Sequence, residues 1–406
     1  MTVQLEIAAL KNPIQNYAWG SKTVIAKLLG EPTPSPQPQA ELWIGAHPKA
    51  PSEVWQDDHW LPLPNWIQTA PEAILGPSVA ARFHGVLPFL LKVLAAEMPL
   101  SIQAHPNMAQ AKAGFARENA QELALDASTR NYRDASHKPE LICALTPFWG
   151  LKGFSQIAEI QQRVQRMAIP ALLEEGRRLA EDPAGGLEHF FRSLLTLDAK
   201  TQAALVTEVV RAAKKLTAED PACAWIVRLN QSYPGDIGVI SPLFLNLFEL
   251  QPGEAMFIQA GTLHAYLHGA GIELMANSDN VLRGGLTSKH IDIDELTRCL
   301  DFSQESSALT NPVAISPALS EYPTPAEEFL LSIIRVRSTA DHLSGQQRSV
   351  EVLLCTDGDA VITNLGNSKS QDLSRGKAFI IPASVSQYRI AGDAVIYLAS
   401  VAGQRR

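Results

Sequence analysis

Apolar and polar positions along this chain change their period several times, and each change marks a different kind of element. From Phe257 to Asp292 (FIQAGTLHAYLHGAGIELMANSDNVLRGGLTSKHID) the residues first alternate, which predicts a strand with His264 and Tyr266 on one face. A turn at Gly269 and Gly271 is expected next, then the apolar run Ile272 to Ala276 with Glu273 inside it. The polar segment Asn277-Ser278-Asp279-Asn280 follows, ahead of Arg283, two glycines and Lys289. Alternation also marks Val3, Leu5 and Ile7, and again Ala40 to His47, where Glu41 reads equally as a buried carboxylate or a solvated strand edge. Leu87 to Asn107 is strand-like around Lys92, is interrupted by Pro99, and then places Ser101, Gln103 and His105 on one strand face. Residues 107–125 carry the Ala, Glu and Gln excess of a helix. Pro139, which has no ladder donor, suits the start of the strand that Glu140 opens.

The texture becomes helical from Ser155 to about Ser232, with Ile157, Ile160, Val164 and Met167 at helical spacing, a break at Pro170, and a new start at Leu187. A helix is expected between Ile291 and Phe302, with Asp292 or Asp294 near its start. The chain then closes with short strands at Val350–Leu354, Asp359–Thr363, Lys377–Pro382 and Ala394–Ala399, separated by Gly, Asn and Asp turns. That spacing predicts a small antiparallel sandwich or barrel.

Composition narrows the function classes. A chain of 406 residues with 46% hydrophobic and 19% charged residues is globular and long enough for more than one domain. A formal net charge of -8 argues against nucleic-acid binding, which demands a cationic face, but leaves room for an anionic small substrate in a local cationic pocket. The four cysteines form no CxxC pair, which suits a reducing compartment. MTVQLEIAAL lacks a basic, long-apolar leader pattern, and no run is long enough to span a membrane. A soluble cytoplasmic protein, monomeric and free of nucleic-acid or membrane partners, is expected.

Two histidines, one carboxylate and an amide oxygen (His105, His264, Glu140 and Gln103) then stand out as candidate ligands of a zinc or non-haem iron ion. Gln103 and His105 lie two apart on one strand, so both can reach one ion. A carboxylate such as Glu140 in an apolar strand needs a cationic partner or a metal. Arg283 and Lys289 read either as a solvated pair flanking a Gly-Gly turn or as anion ligands, where the guanidinium fork suits an oxyanion.

The segments SIQAHPN, HKPELI, AGTLHAYLHG and ELMANSDNVLRGGLT closely resemble the type I mannose-6-phosphate isomerases, zinc enzymes of the cupin superfamily. NYAWGS, AELWIGAHPKAPS and LPFLLKVL resemble earlier segments of that family, in the same order. The resemblance implies a mainly β chain with two cupin (jelly-roll) domains and an inserted α-helical domain. Residues 1–150 with 231–305 would form the catalytic cupin, 151–230 the helical insertion, and 306–406 the second cupin-like domain. It implies interconversion of mannose 6-phosphate and fructose 6-phosphate through an enediolate, with one zinc per chain on Gln103, His105, Glu140 and His264. Arg283, Lys138 and Asp279 match catalytic positions, and Trp19, Lys92, Ser101, Tyr266 and Lys289 match positions that line the substrate pocket. Lys138 is the first choice for the base, since a nearby metal and Arg283 favour its neutral form, and Asp279 is the rival. An iron-dependent cupin dioxygenase would leave Arg283, Lys289 and Lys138 without work. A non-catalytic sugar-binding cupin would tolerate loss of a ligand, yet every matched position is intact. In the second cupin-like domain Ser386 and Gln387 stand where a histidine ligand would be wanted, so that domain is expected to be structural.

Overall fold

The computed structural model describes residues 5–182, 185–304 and 308–403. Val3 therefore lies outside the described residues, and the first strand runs from Ala8 to Lys11. Strands dominate, gathered into two large sheets of antiparallel pairs, with a block of helices inserted between Phe154 and Leu245.

The first sheet is built on the strand His264–Ala276. Its first half pairs with Phe148–Phe154, and its second half lies between Phe89–Ala96 and Glu140–Ala144. The turn expected at Gly269 and Gly271 is absent. The strand runs straight through, with only an irregularity between Tyr266 and His268. The glycines serve close packing instead: a Cβ on Gly269 would lie 2.5 Å from the Pro147 carbonyl, and one on Gly271 would lie 2.7 Å from Ile142. All eight residues of Phe89–Ala96 are buried, which explains a run too apolar to alternate. Burying each large apolar side chain there contributes about 1.5–3 kcal/mol relative to exposure.

The helical block follows the period read from the sequence. Ile160, Val164 and Met167 are buried along Ile157–Met167, and Pro170 occupies the first turn of Pro170–Glu181. Gly186–Leu195, Ala199–Ala213 and Pro221–Ser232 complete it, the last two capped by Asp198 and Asp220. Its apolar faces share one core with Ile102, Leu151, Leu263 and Leu282, so the helices brace the strands that reach the site from one side.

The second sheet contains the C-terminal strands together with Ala8–Lys11, which pairs with Ala378–Ile381 and with Glu53–Gln56. Hydrogen bonds thus join the start of the chain to its end. The stretches read as separate strands at Val350–Leu354 and Asp359–Thr363 are halves of one strand, Glu351–Asn364, paired along its length with Tyr388–Ser400. The expected turn at Asp357-Gly358 is an irregularity between Cys355 and Asp357. Ladder pairing on both sides of it overrides the local turn preference.

Gly358 has φ of +75°, and a Cβ there would lie 2.1 Å from the Asp393 carbonyl oxygen. Gly358→Ala should therefore cost about 1–3 kcal/mol and lower the midpoint of thermal unfolding. An unchanged midpoint would show that the bulge is not held as described.

Candidate active site

A cavity of about 490 Å³ lies against the His264–Ala276 strand, which lines it with Tyr266 and Glu273. Gln103, Glu140, Lys138, Tyr266, Asp279, Arg283, Lys289, Lys92, Ser101 and Trp19 all line it. His105 and His264 stand behind its wall, 1% and 0% exposed. The structure thus gathers every site residue singled out in the sequence.

Strands place Gln103, Glu140 and His264, whereas the expected strand is only Ile102–Ala104, so Ser101 and His105 flank it instead of lying on it. His264 begins His264–Ala276 and pairs with Gln103 of Ile102–Ala104, while Glu140 opens Glu140–Ala144 opposite Met275. Ligand atoms of His105, Glu140 and His264 lie within 4.8 Å of one another. His105 Nε2 is 3.2 Å from Glu140 Oε1, and His264 Nε2 is 3.4 Å from Glu140 Oε2. Such distances would make ion pairs if the rings were protonated. Burial, aided by the Lys138 charge, instead pushes His105 down to about 4, so its imidazole is neutral at neutral pH.

The tautomer follows from the backbone. His105 Nδ1 donates to the Asn280 carbonyl at 2.6 Å, and His264 Nδ1 donates to the Thr262 carbonyl at 3.0 Å. Both Nε2 lone pairs then face the carboxylate, and neither Nε2 has a hydrogen-bond partner among the described residues. Buried acceptors aimed at one another are unfavourable unless a cation sits between them. The donor set fits a divalent metal that takes nitrogen and oxygen ligands, and the Nδ1 bonds are the outer contacts that orient such histidines.

The other wall was only partly legible. Asp279 pairs with Lys49 Nζ at 2.8 Å and has His47 Nε2 at 3.7 Å. Burial opposes its charge, but Lys49 and His47 outweigh that and hold its carboxyl below the usual range. Lys138 Nζ is 2.8 Å from Glu140 Oε1. Lys92 lies on the floor between Glu273, at 2.9 Å, and Glu41, at 3.7 Å, and Trp43 donates to Glu41 at 2.6 Å. Glu41 is thus the buried carboxylate, not the solvated edge. Glu41 and Glu273 were marked only by being acids inside apolar strands. Their partnership with Lys92 across the ladder joins residues far apart in sequence.

Arg133 was missed altogether. It lines the cavity from a loop without regular structure, where no period flags it. Glu118 accepts the backbone N–H of Asn131 and Tyr132, and Asn280 Oδ1 accepts that of Arg133 at 2.7 Å. Among the described residues, Arg133, Arg283 and Lys289 have no carboxylate within salt-bridge distance. Burial, with the charge of Arg133, lowers the proton affinity of Arg283; burial, with Arg283, Arg133 and Lys49, lowers that of Lys289.

The family models for "Phosphomannose isomerase type I, catalytic domain" and "Phosphomannose isomerase type I, helical insertion domain" match residues 7–157 and 159–245, and "Mannose-6-phosphate isomerase, cupin domain" matches 319–401. The mannose-6-phosphate isomerase of Escherichia coli (strain K12) is 41% identical over 390 residues, covering 94% of this chain and 96% of that protein. This chain belongs to the type I phosphomannose isomerases. The Homo sapiens mannose-6-phosphate isomerase is 35% identical over 402 residues, covering 92% of each chain. A variant phosphomannose isomerase from Salmonella typhimurium superposes with a TM-score of 0.91 at 38% identity, covering 97% of this chain and 99% of that one. A zinc-bound mannose 6-phosphate isomerase structure matches with a TM-score of 0.89 at 39% identity, over 97% and 99% of the two chains. The two Nε2 atoms of this chain that lack a hydrogen-bond partner lie in a fold shared with that zinc-bound relative.

His264→Ala removes one of the two imidazoles and should abolish both metal retention and turnover while circular dichroism stays that of a folded protein. Full metal content with a normal rate would remove His264 from the site.

Proposed function

We propose that this chain interconverts mannose 6-phosphate and fructose 6-phosphate, with one zinc ion per chain on Gln103, His105, Glu140 and His264. One observation carries the reading: a buried His–Glu–His set and a group of cations meet at one cavity, and among the described residues Arg133, Arg283 and Lys289 have no carboxylate partner. A sugar phosphate is an anion at one end and a carbonyl at the other. The four cysteines are buried and free, which supports a reducing, cytoplasmic setting. Among the described residues no helix is long and apolar enough to cross a membrane.

The reaction moves one proton from C2 to C1 and one hydroxyl proton from O2 to O1, so no redox partner is needed. When bound, zinc supplies Lewis acidity that polarises the carbonyl and favours the enediolate. Lys138 faces the cavity beside Glu140 and is assigned the carbon-bound proton. Asp279 is a weaker base, because Lys49 already compensates its charge, and it is assigned to orienting sugar hydroxyls. Arg283 stabilises developing negative charge, while Lys289 and Arg133 hold the phosphate. Tyr17 and Trp19, stacked with centroids 5.8 Å apart, cover one side and limit water. Lys92 is held between two carboxylates, so it shapes the floor and leaves the phosphate to the unpaired cations.

Lys289→Ala should raise KM for mannose 6-phosphate about ten- to hundredfold, as expected for a charge-assisted contact of roughly 1.5–3 kcal/mol, and change kcat little. Arg283→Ala should depress kcat strongly. An unchanged KM in Lys289→Ala would put the phosphate elsewhere. Zinc-replete protein unable to turn over mannose 6-phosphate would sink the functional reading itself.

A further inference from the structure

The segment that presents Lys138 to the cavity has little backbone support of its own. The Ser136 carbonyl accepts from Ser278 Oγ at 3.1 Å and from Asn280 Nδ2 at 2.9 Å, and the Pro139 carbonyl accepts from Ala276 N at 3.2 Å. Between these ties, among the described residues, His137 and Lys138 take part in no backbone–backbone hydrogen bond. Pro139 has no N–H to add one.

Support arrives from the far end of the chain. His137 Nε2 donates to Glu328 Oε1 at 2.6 Å. Glu328 stands just before the strand Leu330–Val336 of the second sheet, and its neighbour Phe329 is fully buried in the shared core, which fixes the backbone there. Burial works against the Glu328 charge, yet His137, helped by the backbone N–H groups of Glu328 and Glu327, keeps the carboxyl below its usual value. Its second oxygen, Oε2, is buried with no hydrogen-bond partner among the described residues. A carboxylate half-satisfied in this way is unfavourable on its own account, so its place beside His137 is not explained by packing alone.

We propose that Glu328 is a positioning residue for the isomerisation, acting through His137 to fix the peptide that aims Lys138 at the substrate. The C-terminal unit, which shows no metal-ligand group among its described residues, then contributes to catalysis through this bond. The proposal rests on Lys138 taking part in proton transfer. One bond rotation at His137 swings the Lys138 side chain, and a misplacement of about 1 Å costs up to roughly a hundredfold in rate.

The test uses the zinc-loaded full chain at a temperature well below unfolding, with Glu328→Ala, Glu328→Gln, His137→Ala, the double alanine variant and Lys138→Met. Glu328→Ala and His137→Ala should each lower kcat about tenfold or more with zinc content and KM kept. Glu328→Gln, whose amide oxygen still accepts from Nε2–H, should retain most of the rate. The double variant should be no worse than either single one. A purely structural role would lower zinc content and unfolding temperature together and would not spare KM. Glu328→Ala with kcat within about twofold of the parent, while Lys138→Met is inactive, overturns the positioning role alone. Additive losses in the double variant overturn it too. A Lys138→Met variant with the parent rate withdraws the role of Lys138, and this proposal with it.

Discussion

Two buried imidazoles and a buried carboxylate, with ligand atoms within 4.8 Å of one another and both Nδ1 atoms already engaged, are best satisfied by a positive charge between them. That requirement organises the catalytic half of the molecule. His264 has to start a strand long enough to reach the central core, so that its second half is locked by Phe89–Ala96 and Glu140–Ala144. Gln103 has to pair with His264, and Glu140 has to open its strand across from Met275. The polar segment at 277–280 completes the arrangement, because the Asn280 carbonyl fixes the His105 tautomer while its side chain ties down the loop carrying Arg133 and Asp134.

The same cavity treats its cations in two ways, and the contrast decides what it binds. Lys92 is enclosed by Glu273 and Glu41, and Lys49 by Asp279, so those charges are internally balanced. Among the described residues Arg133, Arg283 and Lys289 are not, and burial, with the charge of Arg133, lowers the proton affinity of Arg283 and of Lys289. Like charges left together in a protein of net charge -8 call for an anionic ligand. An iron dioxygenase acting on an apolar substrate would have no use for them, whereas a sugar phosphate uses both them and the His–Glu–His set.

Much of this was legible before any coordinates. Alternation put Gln103 beside His105, a lone acid at the head of an apolar strand exposed Glu140, and the helical insertion followed from Ile160, Val164 and Met167. Residues read by local preference were less secure. Gly269, Gly271 and Gly358 suggested turns, yet cross-strand pairing on both flanks kept the strands continuous. Arg133 sits in a loop, where no periodicity reports direction, and Glu328 meets His137 across 191 positions of sequence. Contacts of that kind belong to tertiary structure and leave no mark on either segment.

The central claim is most directly tested by anomalous diffraction at the zinc absorption edge from crystals grown without added metal. A single strong peak within bonding distance of Nε2 of His105, Nε2 of His264 and the Glu140 carboxylate is the predicted result. Density showing those three groups clustered with no anomalous peak between them, or a peak bound elsewhere in the chain, would contradict the account.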